Sequence, residues 1–234
     1  MPLIFTRIKI NYTNFQKKYV VNKRRPQEYF INRYYAHIID PFFTKIAYDL
    51  KMSPNMVTVI AGLVGVGASF AFLFDYLLIG AIMLQLHHFI DGADGNLARM
   101  LNKCTPLGAK LDKYFDQIVR LFLFLSISIV TDVSLWAKVA LIATIYIDLF
   151  VIQYVVVPYM KRNKLYRARW KMWFLNRGII PAFDIFTIYF LISIFAIFHN
   201  LESVVYIIII GKNIDWIYRV WEVVKTKKYS KTVS

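Results

Sequence analysis

The chain is short of acidic residues and nearly devoid of cysteine. Only 14 of its 234 residues are aspartate or glutamate, against 29 lysines and arginines, for a formal charge of +15. One cysteine, Cys104, excludes an internal disulfide framework. It reads as a small packing residue, because no candidate base lies near it. No His/Cys spacing suited to zinc is present. The first apolar run, Pro2 to Phe5, is too short for the core of a secretory signal. The first 26 residues hold no acid at all. Such a positive balance suits nucleic acid in a soluble protein. Here the basic residues fall between long apolar runs, so anionic lipid and membrane topology account for them and a nucleic-acid partner is not expected.

What the chain has in quantity is apolar surface. It is 58% hydrophobic with a mean hydropathy of +0.48, too apolar for an ordinary soluble domain. The expectation is an all-α integral membrane protein with six transmembrane helices, preceded by an interfacial amphipathic helix. Its divisions are a basic segment over 1–26, the amphipathic helix over 27–52, a catalytic six-helix domain over 53–224 and a basic tail over 225–234. In the second division Tyr29, Phe30, Tyr34, Ile38, Phe42, Ile46 and Leu50 recur at helical spacing, and the Asp40-Pro41 step predicts a kink.

Ser53-Pro54 and Thr105-Pro106 are helix starts, a hydroxyl cap followed by a proline whose missing N–H costs nothing there. The expected spans run from Pro54 to Phe74, Leu77 to Leu97, Thr105 to Val130, Leu135 to Val157, Gly178 to Phe198 and Ser203 to Val224. Each is about 30 Å long at 1.5 Å per residue. The segment from Lys161 to Lys171 carries six basic residues and no acid, and reads as a strip lying on anionic lipid. Alternate connections hold Asp75, Asp132 and Glu202. The positive-inside rule then puts both termini, and the connection between spans two and three, in the cytoplasm.

Four of the scarce acids fall within 26 residues, in IDGADGNLARMLNKCTPLGAKLDKYFD. Asp91 and Asp94 are separated by about 60° around a helix, and Asp112 and Asp116 by about 40°. Each pair shares a face, and the short connection from Met100 to Thr105 sets the two faces opposite one another. Carboxylates at membrane depth are costly, so four that converge call for cations. Hard oxygen donors suit Mg²⁺ or Mn²⁺, and two such ions could grip a diphosphate. Gly95, Ala98 and Gly108 remove bulk beside the acids, and Arg99 has the fork that binds phosphate bidentately. Taken singly, the small residues could be helix-packing positions and the acids a structural ion site.

Taken together, Asp91-x-x-Asp94-Gly95-x-x-Ala98-Arg99, eight residues, then Gly108-x-x-x-Asp112-x-x-x-Asp116, resembles the full signature of the CDP-alcohol phosphotransferases. Pro54-Asn55-x-x-Thr58 at the opening of span one is similar to the family pattern too. The resemblance implies displacement of CMP from a CDP-linked alcohol by a second alcohol, in phospholipid synthesis. It implies that Asp91, Asp94, Asp112 and Asp116 hold the metals and that Asp116 is the general base. Gly95, Ala98, Arg99 and Gly108 would line the CDP pocket, with Asn55 and Thr58 at its edge. It also implies a homodimer.

Other polar residues within the spans are candidates for the acceptor. His87 shares a face with Asp91, although a buried, hydrogen-bonded role suits it equally. Arg120, one turn beyond Asp116, needs an anionic ligand or a partner such as Asp148 or Asp184. Lys212, Asp215 and Arg219 share a face, with Lys212 and Asp215 expected to pair. The chain length favours a CDP-diacylglycerol donor and a soluble acceptor such as glycerol 3-phosphate, serine or an inositol phosphate. The alternatives are a soluble CDP-alcohol donor with a lipid acceptor such as diacylglycerol, and a non-enzymatic cation or proton carrier.

Overall fold

The computed structural model describes residues 12–20 and 26–232, the side chains of 229–232 excepted, and is mostly helical. Residues 1–11 and 21–25 of the basic N-terminal segment, and 233–234 of the tail, lie outside the described residues.

A short helix α1 (residues 12–19) precedes a strand β1 (Glu28–Tyr29), a π-helical turn (Asn32–Ala36) and α2 (His37–Asp49). The amphipathic segment is therefore extended over Glu28 and Tyr29 and helical from further on than Gln27. Pro41 sits inside α2 and withholds the N–H that would have bonded the His37 carbonyl. That carbonyl instead accepts from Gln16 Nε2 (3.0 Å), and Tyr12 donates to the next carbonyl, Ile38 (2.7 Å). Helix α1 thus satisfies what the proline leaves open. Ile38, Phe42 and Ile46 remain about half exposed along α2.

The main bundle follows as α3 (Pro54–Leu73), α4 (Leu77–Met100), α5 (Pro106–Val130) and α6 (Leu135–Val151). The expected caps are made: Ser53 Oγ accepts from Met56 N (3.3 Å) and Thr105 Oγ1 from Gly108 N (3.0 Å). Helix α6 continues through a π turn (Ile152–Val156) into α7 (Val157–Arg162), so span four is longer than expected. Next come α8 (Arg169–Leu175), strand β2 (Ile179–Ile180), α9 (Ile185–Ile197) and α10 (Leu201–Thr232). Span five begins seven residues later than Gly178. Pro181 interrupts the chain, and Asp184 caps the helix by accepting from Phe186 N (3.2 Å). Span six continues past Val224 into the basic tail.

By length and composition alone, two helices among the described residues are long and apolar enough to cross a membrane, Pro54–Leu73 and Leu135–Arg162. Helix α9 is apolar but has 13 residues. Helix α3 packs on α4 and α5, helped by small residues. A Cβ on Gly65 would lie 2.7 Å from both Val119 methyls. Phe72, Leu84, Phe124, Leu141, Ile188 and Ile208 belong to one buried apolar cluster joining α3–α6, α9 and α10.

Two features tie the ends of the chain over this bundle. Strand β1 pairs in parallel with β2, Glu28 opposite Ile179 and Tyr29 opposite Ile180. Arg33 Nη1 adds a bond to the Gly178 carbonyl (2.8 Å), where Gly178 takes φ +76°. In the second feature, Lys171 and Arg167 turn inward instead of lying on lipid. Both reach Glu222 of α10, at 2.7 and 2.5 Å. Glu222 is fully buried, so the connector is anchored by charge as well as by packing.

Candidate active site

Helices α4 and α5 run back to back through a turn in which Asn102 takes φ 53°. That turn sets Asp91 and Asp94 opposite the first turns of α5. Asp91, Asp94 and Asp112 each offer an oxygen within 4.8 Å of the others. Asp116 is outside this trio but within range of the charges on Asp91, Asp112 and Arg120. Asp94 is buried and accepts a hydrogen bond from Thr58 of α3. Among the described residues none of the four aspartates is in an ion pair. Converging hard oxygens that no protein cation neutralises are the donor set a divalent cation such as Mg²⁺ takes. The trio therefore fits a metal.

Beside the trio lies a cavity of about 190 Å³. Asn55, Thr58, Gly95, Ala98, Arg99 and Gly108, all six positions expected to meet a nucleotide, line it together with Asp94 and Asp112. A Cβ on Gly108 would lie 3.0 Å from Asn55 Oδ1, so glycine keeps this wall open. Cys104 also lines the cavity and is exposed, which corrects its reading as a packing residue.

A larger cavity of about 320 Å³ borders α4 on an adjoining face and shares Arg99 with the first. It reaches Asp91 and Arg99 and is roofed by Glu28, Asn32, His37 and Asp40 from the N-terminal segment. His37 bridges two acids, Glu28 at Nε2 (2.5 Å) and Asp40 at Nδ1 (3.0 Å). A third cavity, of about 150 Å³, shares Tyr29 and Phe186 with the second and holds Arg120, Lys212, Arg219, Asp148 and Asp184.

One expectation is corrected here. Lys212 pairs with Asp148 of α6 (2.7 Å), and Asp215 pairs with Arg219 (2.9 Å), so Lys212 and Asp215 are not partners. Of the two readings of His87, the structure has the buried, hydrogen-bonded one: it donates from Nδ1 to the Ala61 carbonyl of α3 (2.9 Å) and ties the two helices. Its neighbour His88 lines the large cavity instead. Arg120 is 8% exposed, is in no ion pair among the described residues, and its Nη1 has no hydrogen-bond partner among them.

Glu28, Asn32, His37, Asp40 and Asn96 were not singled out from the sequence. The only available signal was a stripe on α4 at helical spacing, His88, Gly92, Asn96 and Arg99.

The sequence model of the CDP-alcohol phosphatidyltransferase family matches residues 51–225. The chain is 35% identical over 96 residues to the bifunctional IPC transferase and DIPP synthase of Aquifex aeolicus, covering 41% of this chain and 21% of that protein. It is 31% identical over 125 residues to the phosphatidylinositol phosphate synthase of Corynebacterium glutamicum, 53% of this chain and 56% of that one. It is 32% identical over 74 residues to the archaetidylinositol phosphate synthase of Pyrococcus horikoshii, 32% of this chain and 39% of that one. The chain thus spans from about a fifth to just over half the length of these relatives. The fold is similar to the phosphatidylinositol phosphate synthase of Mycobacterium tuberculosis solved with CDP-DAG bound. The TM-score is 0.53 at 19% identity, over 80% of this chain and 93% of that one.

Proposed function

Because the chain belongs to the CDP-alcohol phosphatidyltransferase family, we propose that it moves the phosphatidyl-type group of a CDP-activated lipid onto a soluble, phosphorylated polyol such as an inositol phosphate, releasing CMP. The observation that carries the acceptor half is Arg120. Its buried guanidinium has an unpartnered Nη1 and lines a cavity one helical turn from Asp116, where Arg120, Lys212 and Arg219 outnumber Asp148 and Asp184, so the walls favour one further anion. The Corynebacterium and Pyrococcus relatives, named as inositol phosphate synthases, support the same acceptor class.

In this reading Gly95, Ala98, Gly108, Asn55 and Thr58 form the wall against which the nucleotide lies, with Arg99 on its phosphates. Asp91, Asp94, Asp112 and Asp116 would hold divalent metal, Mg²⁺ or Mn²⁺, which when bound offsets the charge of the diphosphate. The Asp116 carboxylate takes the proton of the acceptor hydroxyl. That oxygen bonds to the lipid-bearing phosphorus as the bond from phosphorus to the CMP oxygen breaks. Helices α3, α4, α5, α6–α7, α9 and α10 serve as six spans, with α2 along the interface and its half-exposed Ile38, Phe42 and Ile46 toward lipid. The basic connectors favour a topology with both termini and the site on the cytoplasmic side. A homodimer completes the proposal.

The test is CMP release by purified protein from CDP-diacylglycerol with Mg²⁺, across inositol phosphate, inositol, glycerol 3-phosphate and serine. Release is expected with the phosphorylated polyol and at least tenfold less with unphosphorylated inositol. Equal rates with and without the phosphate would overturn the acceptor assignment. Activity only with a soluble CDP-alcohol and diacylglycerol would reverse donor and acceptor.

A further inference from the structure

The larger cavity contains polar groups that the transfer reaction, as described so far, does not use. His88 and Asn96 of α4 both line it, and both are 2% exposed. His88 Nε2 faces Asn32 Oδ1 at 3.2 Å. An amide oxygen only accepts, so Nε2 carries the hydrogen and Nδ1 is left as a bare acceptor. Among the described residues Nδ1 has no partner. Asn96 is arranged the opposite way. Its Oδ1 accepts from Arg99 Nη2 (2.8 Å), and its Nδ2, a donor, has no partner.

Buried polar atoms are seldom left unpaired. Here an unpaired acceptor and an unpaired donor belong to residues about two helical turns apart on α4, both of which line one cavity. An alcohol O–H both donates and accepts, so a row of hydroxyls is the ligand chemistry this pair would satisfy. A second anion is a poor occupant, since Glu28, Asp40 and Asp91 supply acid to the same walls. The stacking of His88 on Phe186 (4.6 Å, 16° between planes) fixes the imidazole plane and hence the direction of Nδ1.

We propose that His88 and Asn96, with Asn32 as the positioning residue for His88, form a hydroxyl-reading subsite that selects a polyol ring among phosphorylated acceptors. This rests on the acceptor class proposed above. The phosphate is placed at Arg120 in the third cavity and the ring hydroxyls in the larger one beside Asp91, with Tyr29 and Phe186 bordering both cavities. Because Asn32 belongs to the N-terminal segment pinned by the β1–β2 pairing, acceptor choice depends on residues outside the 51–225 stretch that defines the family.

The test compares kcat/KM for inositol phosphate and for glycerol 3-phosphate, which lacks a ring of hydroxyls, in wild type, His88→Phe and Asn32→Ala. Phenylalanine keeps the stacked ring and removes both nitrogens. Asn32→Ala leaves the buried face of α4 intact, should His88→Phe fold poorly. The expected result is a fall of roughly tenfold in the inositol phosphate to glycerol 3-phosphate ratio, one hydrogen bond's worth, carried by acceptor KM and not by kcat. Equal losses on both acceptors, or an unchanged ratio, overturn the subsite. A wild type that uses neither phosphorylated acceptor overturns the parent reading instead.

Discussion

Replacing Glu222 by glutamine should destabilise the protein out of proportion to the change of one atom. Glu222 is 0% exposed, and its carboxylate receives both Lys171 (2.7 Å) and Arg167 (2.5 Å). Arg167 is partly exposed and can turn to water, whereas Lys171 is 5% exposed and cannot. Removing one partner of such a pair leaves an unpaired buried charge, at a cost of about 3–5 kcal/mol. For a chain of this size that corresponds to a drop in Tm on the order of 10 °C. Burial already pulls Lys171 below its ordinary pKa of 10.5, and Glu222 opposes that pull. Without Glu222 the folded-state pKa falls further while the unfolded value does not. Between the two values the unfolded chain binds more protons, so the variant gains stability as pH rises through that window. The deficit of Glu222→Gln relative to wild type should therefore be larger at pH 7 than at pH 9.5. Adding Lys171→Met should recover most of it, because a buried pair replaced by apolar groups costs little. Thermal unfolding in detergent reads all three. A Glu222→Gln shift under 2 °C, or no recovery with Lys171→Met, would refute the view that charge anchors the connector.

Three further outcomes concern the site. Asp116→Asn should lower CMP release by roughly 10²–10⁴-fold, the usual contribution of a general base, and a loss below tenfold would remove Asp116 from that role. Thr58→Val keeps the shape of the side chain but deletes the hydrogen bond to Asp94. The Mg²⁺ concentration for half-maximal activity should rise about tenfold, and Thr58→Ser should restore it. Gly108→Ala puts a methyl 3.0 Å from Asn55 Oδ1, and should raise donor KM while leaving the thermal midpoint within a few degrees. An unchanged donor KM would take that wall out of the nucleotide site.

What could be read from the sequence was whatever is decided locally. Ser53-Pro54 and Thr105-Pro106 each carry their cap, their proline and the amide they satisfy within four residues, so their helix starts are visible in a short window. The proposed nucleotide wall is nearly as local: two consecutive helices and a tight turn bring Gly95, Arg99, Gly108 and Asp112 together, and Pro54, Asn55 and Thr58 arrive from α3. Lys212 shows where that logic stops. Helical spacing offers Asp215 three residues away, but Asp148 on α6 claims the ammonium, and Asp215 goes to Arg219. The two histidines make the same point. Periodicity puts His87 on the face of Asp91, yet α3 packs closely enough for the Ala61 carbonyl to take it. The start of the amphipathic helix was hidden because Glu28 and Tyr29 are held extended by pairing with Ile179 and Ile180, far later in the chain.

The same contrast bears on how the two substrate halves are encoded. In the proposed reading donor contacts fall mostly between Asp94 and Asp112, where changing a residue alters spacing that the aspartates also need, with Asn55 and Thr58 added from α3. The proposed acceptor side draws Asn32 from the N-terminal segment, His88 and Asn96 from α4 and Arg120 from α5, with the β1–β2 pairing holding the N-terminal segment in place. None of these is fixed by the aspartate spacing, so each can vary without disturbing the metal trio. A framework built this way can keep one phosphoryl chemistry and exchange its alcohol. It follows that the eight-residue signature reports the reaction, whereas the identity of the alcohol has to be sought in long-range contacts.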